Sequence, residues 1–214
     1  MGTIRSRKVP WQANGRTSIT RSRIWRGPTP FHTGAAAAET LSLDTDHTEI
    51  GFAAKHFGVA NLGGWFKETS GTLTYDADNI TDSSVEITIE TGSLIGTSDQ
   101  RRDALISEFF LDTARYPQIT FVSKELKSAD SGLTVVGDLT IREVTKEVAF
   151  PLAVTGPLAD PWGQPRMGVE GTLTVNRRDY GILFDKKTEA GVPFVGDEVT
   201  ITITAEFAKA APVD

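Results

Sequence analysis

From Leu41 onward, apolar and polar residues alternate almost one for one. Val85, Ile87 and Ile89 are interleaved with Glu86, Thr88 and Glu90, and Val199, Ile201, Ile203, Ala205 and Phe207 with Thr200, Thr202, Thr204 and Glu206. Leu73 and Tyr75 stand between Thr72 and Thr74, and Leu173 and Val175 between Thr172, Thr174 and Asn176. A period of two belongs to strands with one buried and one wet face. It predicts eight of them, near 41–54, 62–76, 84–95, 117–128, 132–141, 144–157, 167–178 and 197–208. Turn signals at Ser131-Gly132, Asp160-Pro161, Gly191 with Pro193, and Gly196-Asp197 separate them. No layer of helices is available to cover the apolar face, so the sheet covers it by closing on itself. The expected fold is all-β: an eight-stranded antiparallel up-and-down barrel with one short helix.

That helix is predicted from Thr97, where Thr97 and Gln100 fit a capping box and Asp99 suits the positive helix end. Leu105 with Phe109, and Ile106 with Phe110, would lay an apolar stripe on the barrel. Tyr116-Pro117 ends the segment and opens the next strand. The segment reads as a plug or lid on one barrel end.

At 214 residues without a cysteine, the chain suits one domain that uses neither disulfides nor thiolate chemistry. Charge is unevenly spread. Residues 1–38 carry seven Lys/Arg and no acid, leaving 15 basic against 28 acidic residues in the rest, a net of −13. The acidic body argues against nucleic acid as a partner. Residues 1–38 read as a disordered basic extension and 39–210 as the folded domain. A solvated tail is favoured over an organelle transit peptide or a lipid-touching arm. No apolar run suits a secretory signal, so a cytoplasmic location is expected, and no stretch reaches the ~20 apolar residues of a membrane span.

Six segments in order carry a resemblance: IGFAAKHFGVANLGGWF (50–66), SGTLTYD (70–76), RRDALISEFFLDTARYPQITFVS (101–123), GDLTIREVTKEV (137–148), NRRDYGI (176–182) and VGDEVTITITAEF (195–207). Across about residues 41–208 the chain resembles the YceI-like family of lipid- or polyisoprenoid-binding barrels. The resemblance implies a lipocalin-like barrel whose long pocket holds an isoprenoid quinone, a polyprenyl phosphate or a fatty-acyl compound, with stress response among the family's associations. Glu143 and Glu147 stand where the family usually has Gly and Pro, so Glu143 is expected to take a turn geometry that suits glycine. Many relatives carry a signal peptide, and a periplasmic location is not carried over.

Candidates for an apolar tunnel wall are Phe52, Phe57, Trp65, Phe66, Leu94, Leu105, Phe109, Phe110, Phe121, Phe150, Tyr180 and Phe184. On the residues alone a solid core explains them better; the resemblance reverses that balance. His56 lacks metal partners, since His47 and His32 lie in other contexts and no His/Asp/Glu group has ligand spacing, and it lacks a nucleophile to activate. It reads first as a structural histidine and second as a donor to a ligand head group. Arg101 and Arg178 each stand near an Asp, so ion pairing is the default, with a role at the pocket mouth as the functional alternative.

The acids Glu49, Glu68, Asp76, Glu86 and Glu90 fall on outward positions or turns, and neither GxSxG, P-loop nor HExxH occurs. The expectation is a non-enzymatic carrier of a long isoprenoid or acyl amphiphile, with no metal, no cofactor and a homodimer left open. The alternatives are a lipid-modifying enzyme using His56 and Arg101, and a ligand-free adaptor barrel.

Overall fold

The computed structural model describes residues 38–129 and 132–209. The extension expected over 1–38 lies outside the described residues except for Ala38, as does Ser131 of the first turn signal. Ten strands are present: β1 (Glu39–His56), β2 (Ala60–Phe66), β3 (Thr69–Tyr75), β4 (Ser84–Glu90), β5 (Leu94–Ile95), β6 (Gln118–Ala129), β7 (Gly132–Ile141), β8 (Val144–Ala159), β9 (Pro165–Asn176) and β10 (Val195–Ala208). They form a single antiparallel sheet that closes where β1 pairs with β10, Leu43 opposite Phe207 and Ile50 opposite Ile203.

The closed barrel is eight-stranded because β2 and β3 lie end to end along one edge of β1. β2 pairs with residues 50–56 and β3 with residues 39–42. In the same way β4 pairs with β3 and β5 with β2. Two of the eight expected strands are thus interrupted, near 67–68 and at 91–93. The two breaks face each other and satisfy one another's backbone. Lys67 N–H donates to the Ser93 carbonyl (3.2 Å) and Glu68 N–H to Ser93 Oγ (2.9 Å).

Helix α1 spans Asp99–Ile106, shorter and later than the sequence suggests. Its cap is Ser98, whose Oγ accepts from Arg101 N–H (3.3 Å), not Thr97. The helix stops at Ser107, whose N–H and Oγ both turn back to the Ala104 carbonyl. The stripe expected through Phe109 and Phe110 therefore does not form; both residues lie in the turns that follow.

The β7–β8 hairpin also differs from expectation. Ile141 pairs with Val144, so the turn is Arg142-Glu143, and the left-handed residue is Arg142 (φ 57), not Glu143. Arg142 is held by its own side chain. It donates to the Gly181 carbonyl (2.9 Å), approaches Asp112 Oδ2 (3.5 Å) and lies 4.9 Å over the Tyr116 ring.

Inward residues form two clusters. Leu41, Leu43, Leu73, Met167, Ala205 and Phe207 close one end, where β1 begins and β10 finishes. A larger cluster, from Ile50 and Phe66 through Phe150 to Ile182, lines the other half beneath α1. Ile87 and Ile203 touch both.

Candidate functional site

The larger cluster does not fill its half of the barrel. It surrounds a cavity of about 770 Å³, within the range of small-molecule sites. Alternation builds the wall: Ile50, Phe52, Ala54 and His56 of β1 all point inward, as do Val199, Ile201 and Ile203 of β10. Phe121 and Phe150, ring centroids 5.6 Å apart, lie toward the filled end, and Gly137 leaves the space that Phe121 occupies. A Cβ on Gly137 would meet the Phe121 ring at 2.6 Å. In the filled half, a void between Leu73, Leu126, Leu152 and Met167 holds only about 30 Å³, one water's share of liquid.

The lining residues that reach solvent locate the mouth. Ser98, Gln100 and Ala104 of the α1 segment, Lys55 at the end of β1, and Lys186 on the loop before β10 are all exposed. No residue of α1 is buried, yet Arg101, Ala104 and Leu105 face the cavity, so the helix covers it without being embedded.

Charge at the cavity has one sign. Lys55, Arg101, Arg177 and Lys186 line it, and among the described residues no carboxylate does. Arg177 is committed elsewhere. Only 4% exposed, it donates to the carbonyls of Ile182 (2.6 Å), Phe184 (2.8 Å) and Gly196 (3.0 Å) and to Asp197 Oδ1 (2.7 Å). Burial pushes its pKa down, Asp197 pulls it up and Arg178 pushes it down again. It pins the loop 181–194 to the start of β10.

Arg101 differs: among the described residues its guanidinium hydrogen-bonds only to Thr97 Oγ1 (3.5 Å), and burial alone lowers its pKa. An arginine stays charged regardless. Lys55 and Lys186 make no ion pair among the described residues either. Burial, then the charge of Asp179, raises the pKa of Tyr180, which keeps its phenol neutral in the wall.

Comparison with known proteins agrees with this architecture. The YceI-like domain model matches residues 41–207. The chain belongs to the YceI-like family. Protein YceI of Escherichia coli (strain UMN026) is 35% identical over 178 residues, 82% of this chain and 90% of that protein. Among solved structures, Burkholderia cenocepacia BcnA has the same fold, with a TM-score of 0.67 at 23% identity, covering 77% of this chain and 98% of that one. A polyisoprenoid binding domain from Saccharophagus degradans, described as implicated in plant cell wall breakdown, matches at TM-score 0.60 and 17% identity, covering 79% and 98%.

In this YceI-like barrel, eight of the twelve apolar candidates line the cavity: Phe52, Phe66, Leu105, Phe110, Phe121, Phe150, Tyr180 and Phe184. Four do not. Trp65, next to Phe66 in β2, takes the outer face beside Gly51 and is 40% exposed. Phe109 is exposed because the helix has ended before it, while Phe110 stacks on Phe184 (4.8 Å). Phe57 sits in the β1–β2 turn, packed on His56 and Phe194 outside the cavity. Leu94 is buried in the core around the two strand breaks rather than in the wall.

His56 and Arg101 line the cavity. Arg178 does not: it is paired outside with Asp185 and with Asp197 (2.9 Å). Its neighbour Arg177 holds the inward position. Lys55, Lys186 and Phe194 were not picked out by the sequence. Phe194 lies beyond the alternating runs, and the lysines sit at strand and loop ends where period two carries no information.

The fold also brings Asp44, His47 and Glu206 within 4.8 Å of one another, a grouping that sequence spacing did not reveal. A bulge between Asp44 and Glu49 places His47 Nδ1 3.0 Å from Asp44. Arg166 already bridges Asp44 (2.6 Å) and Glu206 (3.0 Å), so the group is an ion-pair network with its cation in place.

Proposed function

We propose that this barrel is a non-enzymatic carrier of an amphiphile with one long apolar chain and an anionic head group. The observation that carries the reading is a cavity walled almost wholly by apolar side chains, whose charged lining groups among the described residues are all cations, in a body that is otherwise acidic. A space of about 770 Å³ with an apolar wall suits a long apolar chain. The polyisoprenoid named for the Saccharophagus degradans domain is such a long apolar chain.

The chain end would lie against Phe121, Phe150 and Ile203. The head group would sit at the mouth, where Arg101, Lys55 and Lys186 lack carboxylate partners among the described residues. Arg101 stands in the first turn of α1, where the helix dipole disfavours a cation and favours an anion. An anion there would relieve that conflict and supply Arg101 with a charge-assisted hydrogen bond. His56, on the same wall, would add a donor.

The test is native mass spectrometry of the purified protein, then solvent extraction and lipid analysis, then titration with geranylgeranyl phosphate and with geranylgeraniol. A stoichiometric amphiphile is expected, with the phosphate bound about tenfold or more tightly than the alcohol because its hydrogen bonds are charge-assisted. The double variant Arg101→Gln, Lys186→Gln should erase most of that difference. Equal affinity for the two probes overturns the head-group assignment, and binding of neither overturns the carrier.

A further inference from the structure

Beside the mouth stands a pole of the molecule that ligand binding does not explain. Phe57, Gly58 and Val59 form the β1–β2 turn, and none of them lines the cavity. Val59 is 82% exposed, and Phe57 is held at φ 51, an unfavourable conformation for an aromatic residue. The turn is fixed, not loose. Phe57 N–H donates to the Phe194 carbonyl (3.1 Å), and the rings of His56 and Phe194 pack on Phe57 at 4.0 and 4.7 Å.

The loop before β10 forms the other half of the pole. Phe194 N–H donates to the Lys186 carbonyl (2.9 Å), Thr188 N–H to the Val192 carbonyl (2.8 Å), and Lys187 bridges to Pro193. Exposed Val192 meets the turn: its Cγ1 is 3.8 Å from where a Cβ on Gly58 would lie. Lys55, Lys186 and Lys187 flank these apolar residues, and among the described residues none of the three makes an ion pair. Across residues 55–59 and 186–194 the one acid is Glu189.

A rigid apolar tip ringed by free lysines suits the interface of a bilayer with anionic lipids. The acidic body is repelled by such a surface, which leaves this pole as the one that approaches it. We propose that the pole built from residues 55–59 and 186–194 docks on an anionic lipid bilayer, with Phe57, Val59 and Val192 entering the interface and the cavity mouth set against the membrane. The inference rests on the carrier reading, because an amphiphile of that size resides in bilayers and has to be met there. Docked this way, the chain passes between bilayer and barrel without crossing water.

The experiment uses the full chain with phosphatidylcholine vesicles, with and without phosphatidylglycerol, read by co-sedimentation and by transfer of geranylgeranyl phosphate between vesicle populations. The variants are Val59→Asp with Val192→Asp, and separately Lys187→Glu; none of these residues lines the cavity. The basic residues of 1–38 attract the same vesicles, so the pole is read from the difference between wild type and variant.

Removing one lysine from an anionic surface weakens binding about fivefold, so the charge reversal Lys187→Glu is expected to weaken it by at least that much, and two aspartates at the tip by about tenfold or more. Transfer should slow in proportion, while titration with free geranylgeranyl phosphate and the melting temperature stay unchanged. If the double variant fails to fold, Val59→Ser with Lys187→Glu replaces it. Equal vesicle binding and transfer by wild type and variants overturn the proposal. So does wild-type self-association that the double variant abolishes, which would make the tip a protein contact. Vesicle binding lost in the variants, with no amphiphile held by any form, would keep the docking surface and sink the carrier.

Discussion

One barrel, built from one set of strands, is solid at one end and hollow at the other. At the solid end Leu41, Met167 and Phe207 are each 1% exposed, and the void among their neighbours holds a single water's volume. Toward α1 the same strands carry residues of similar size, yet they stand back around about 770 Å³. Composition does not separate the two halves; packing does. At the solid end the inward side chains of Leu41, Leu43, Leu73, Met167, Ala205 and Phe207 pack directly on one another. At the hollow end the barrel is roofed by an eight-residue helix with no buried residue and by a loop that Arg177 ties down.

The largest effects should expose that asymmetry. Phe207→Ala removes a ring from a filled space and should cost about 3–5 kcal/mol of unfolding free energy in urea. Phe121→Ala removes a ring that already borders empty space, and should cost the ligand-free protein about half as much or less. Equal losses would mean that the cavity collapses in solution. Arg177→Ala leaves several carbonyls without their donor and Asp197 with Arg178 alone, and a loss of about 1–3 kcal/mol is expected from the unsatisfied carbonyls. Because the mouth loop depends on Arg177, retention of the amphiphile should fall as well. Unchanged stability would sink its role as the tie.

Adding volume sharpens the contrast from the other direction. Ala205→Phe overpacks the solid end and should cost about 1–3 kcal/mol. Ala54→Phe puts the same ring into the hollow, where it should leave the melting temperature unchanged or higher while abolishing uptake of geranylgeranyl phosphate. If Ala54→Phe binds as well as wild type, the chain does not enter the barrel.

The closed, antiparallel ring was legible because period-two alternation runs through most of the strands, and each inward set in β4, β9 and β10 is the apolar set in the sequence. Which of two adjacent aromatics points inward was legible in principle for Trp65 and Phe66: Phe66 is in phase with Leu62, and both line the cavity. Phe109 and Phe110 offered no such signal, since they lie outside both helix and strand. Arg177 and Arg178 are alike in sequence. The 3-10 turn Arg177–Tyr180 buries the first against carbonyls of a loop and leaves the second to surface carboxylates. The hollow itself could not be read locally, because it depends on how far apart the two walls stand, and no single strand specifies that.

The smallest expected effect concerns the surface of the two ends. At the solid end cations are paired: Arg166 holds Asp44 and Glu206, with Asp160 3.6 Å from its Nε. At the mouth Lys55, Arg101 and Lys186 make no ion pair among the described residues. For Asp44, burial works to raise the pKa, but hydrogen bonds and charge from Arg166 and His47 together hold it below the ordinary 3.8. A carboxylate held low in the folded state stabilises fully above its unfolded value, and that contribution fades as the pH falls through the lower folded one. Wild type should therefore lose stability below about pH 4 more steeply than Asp44→Asn, by no more than about 1 kcal/mol because the network is partly solvated. Urea unfolding from pH 5 down to acid checks this. Parallel curves would show that the solid end owes nothing to its ion pairs, and that packing alone distinguishes it from the mouth.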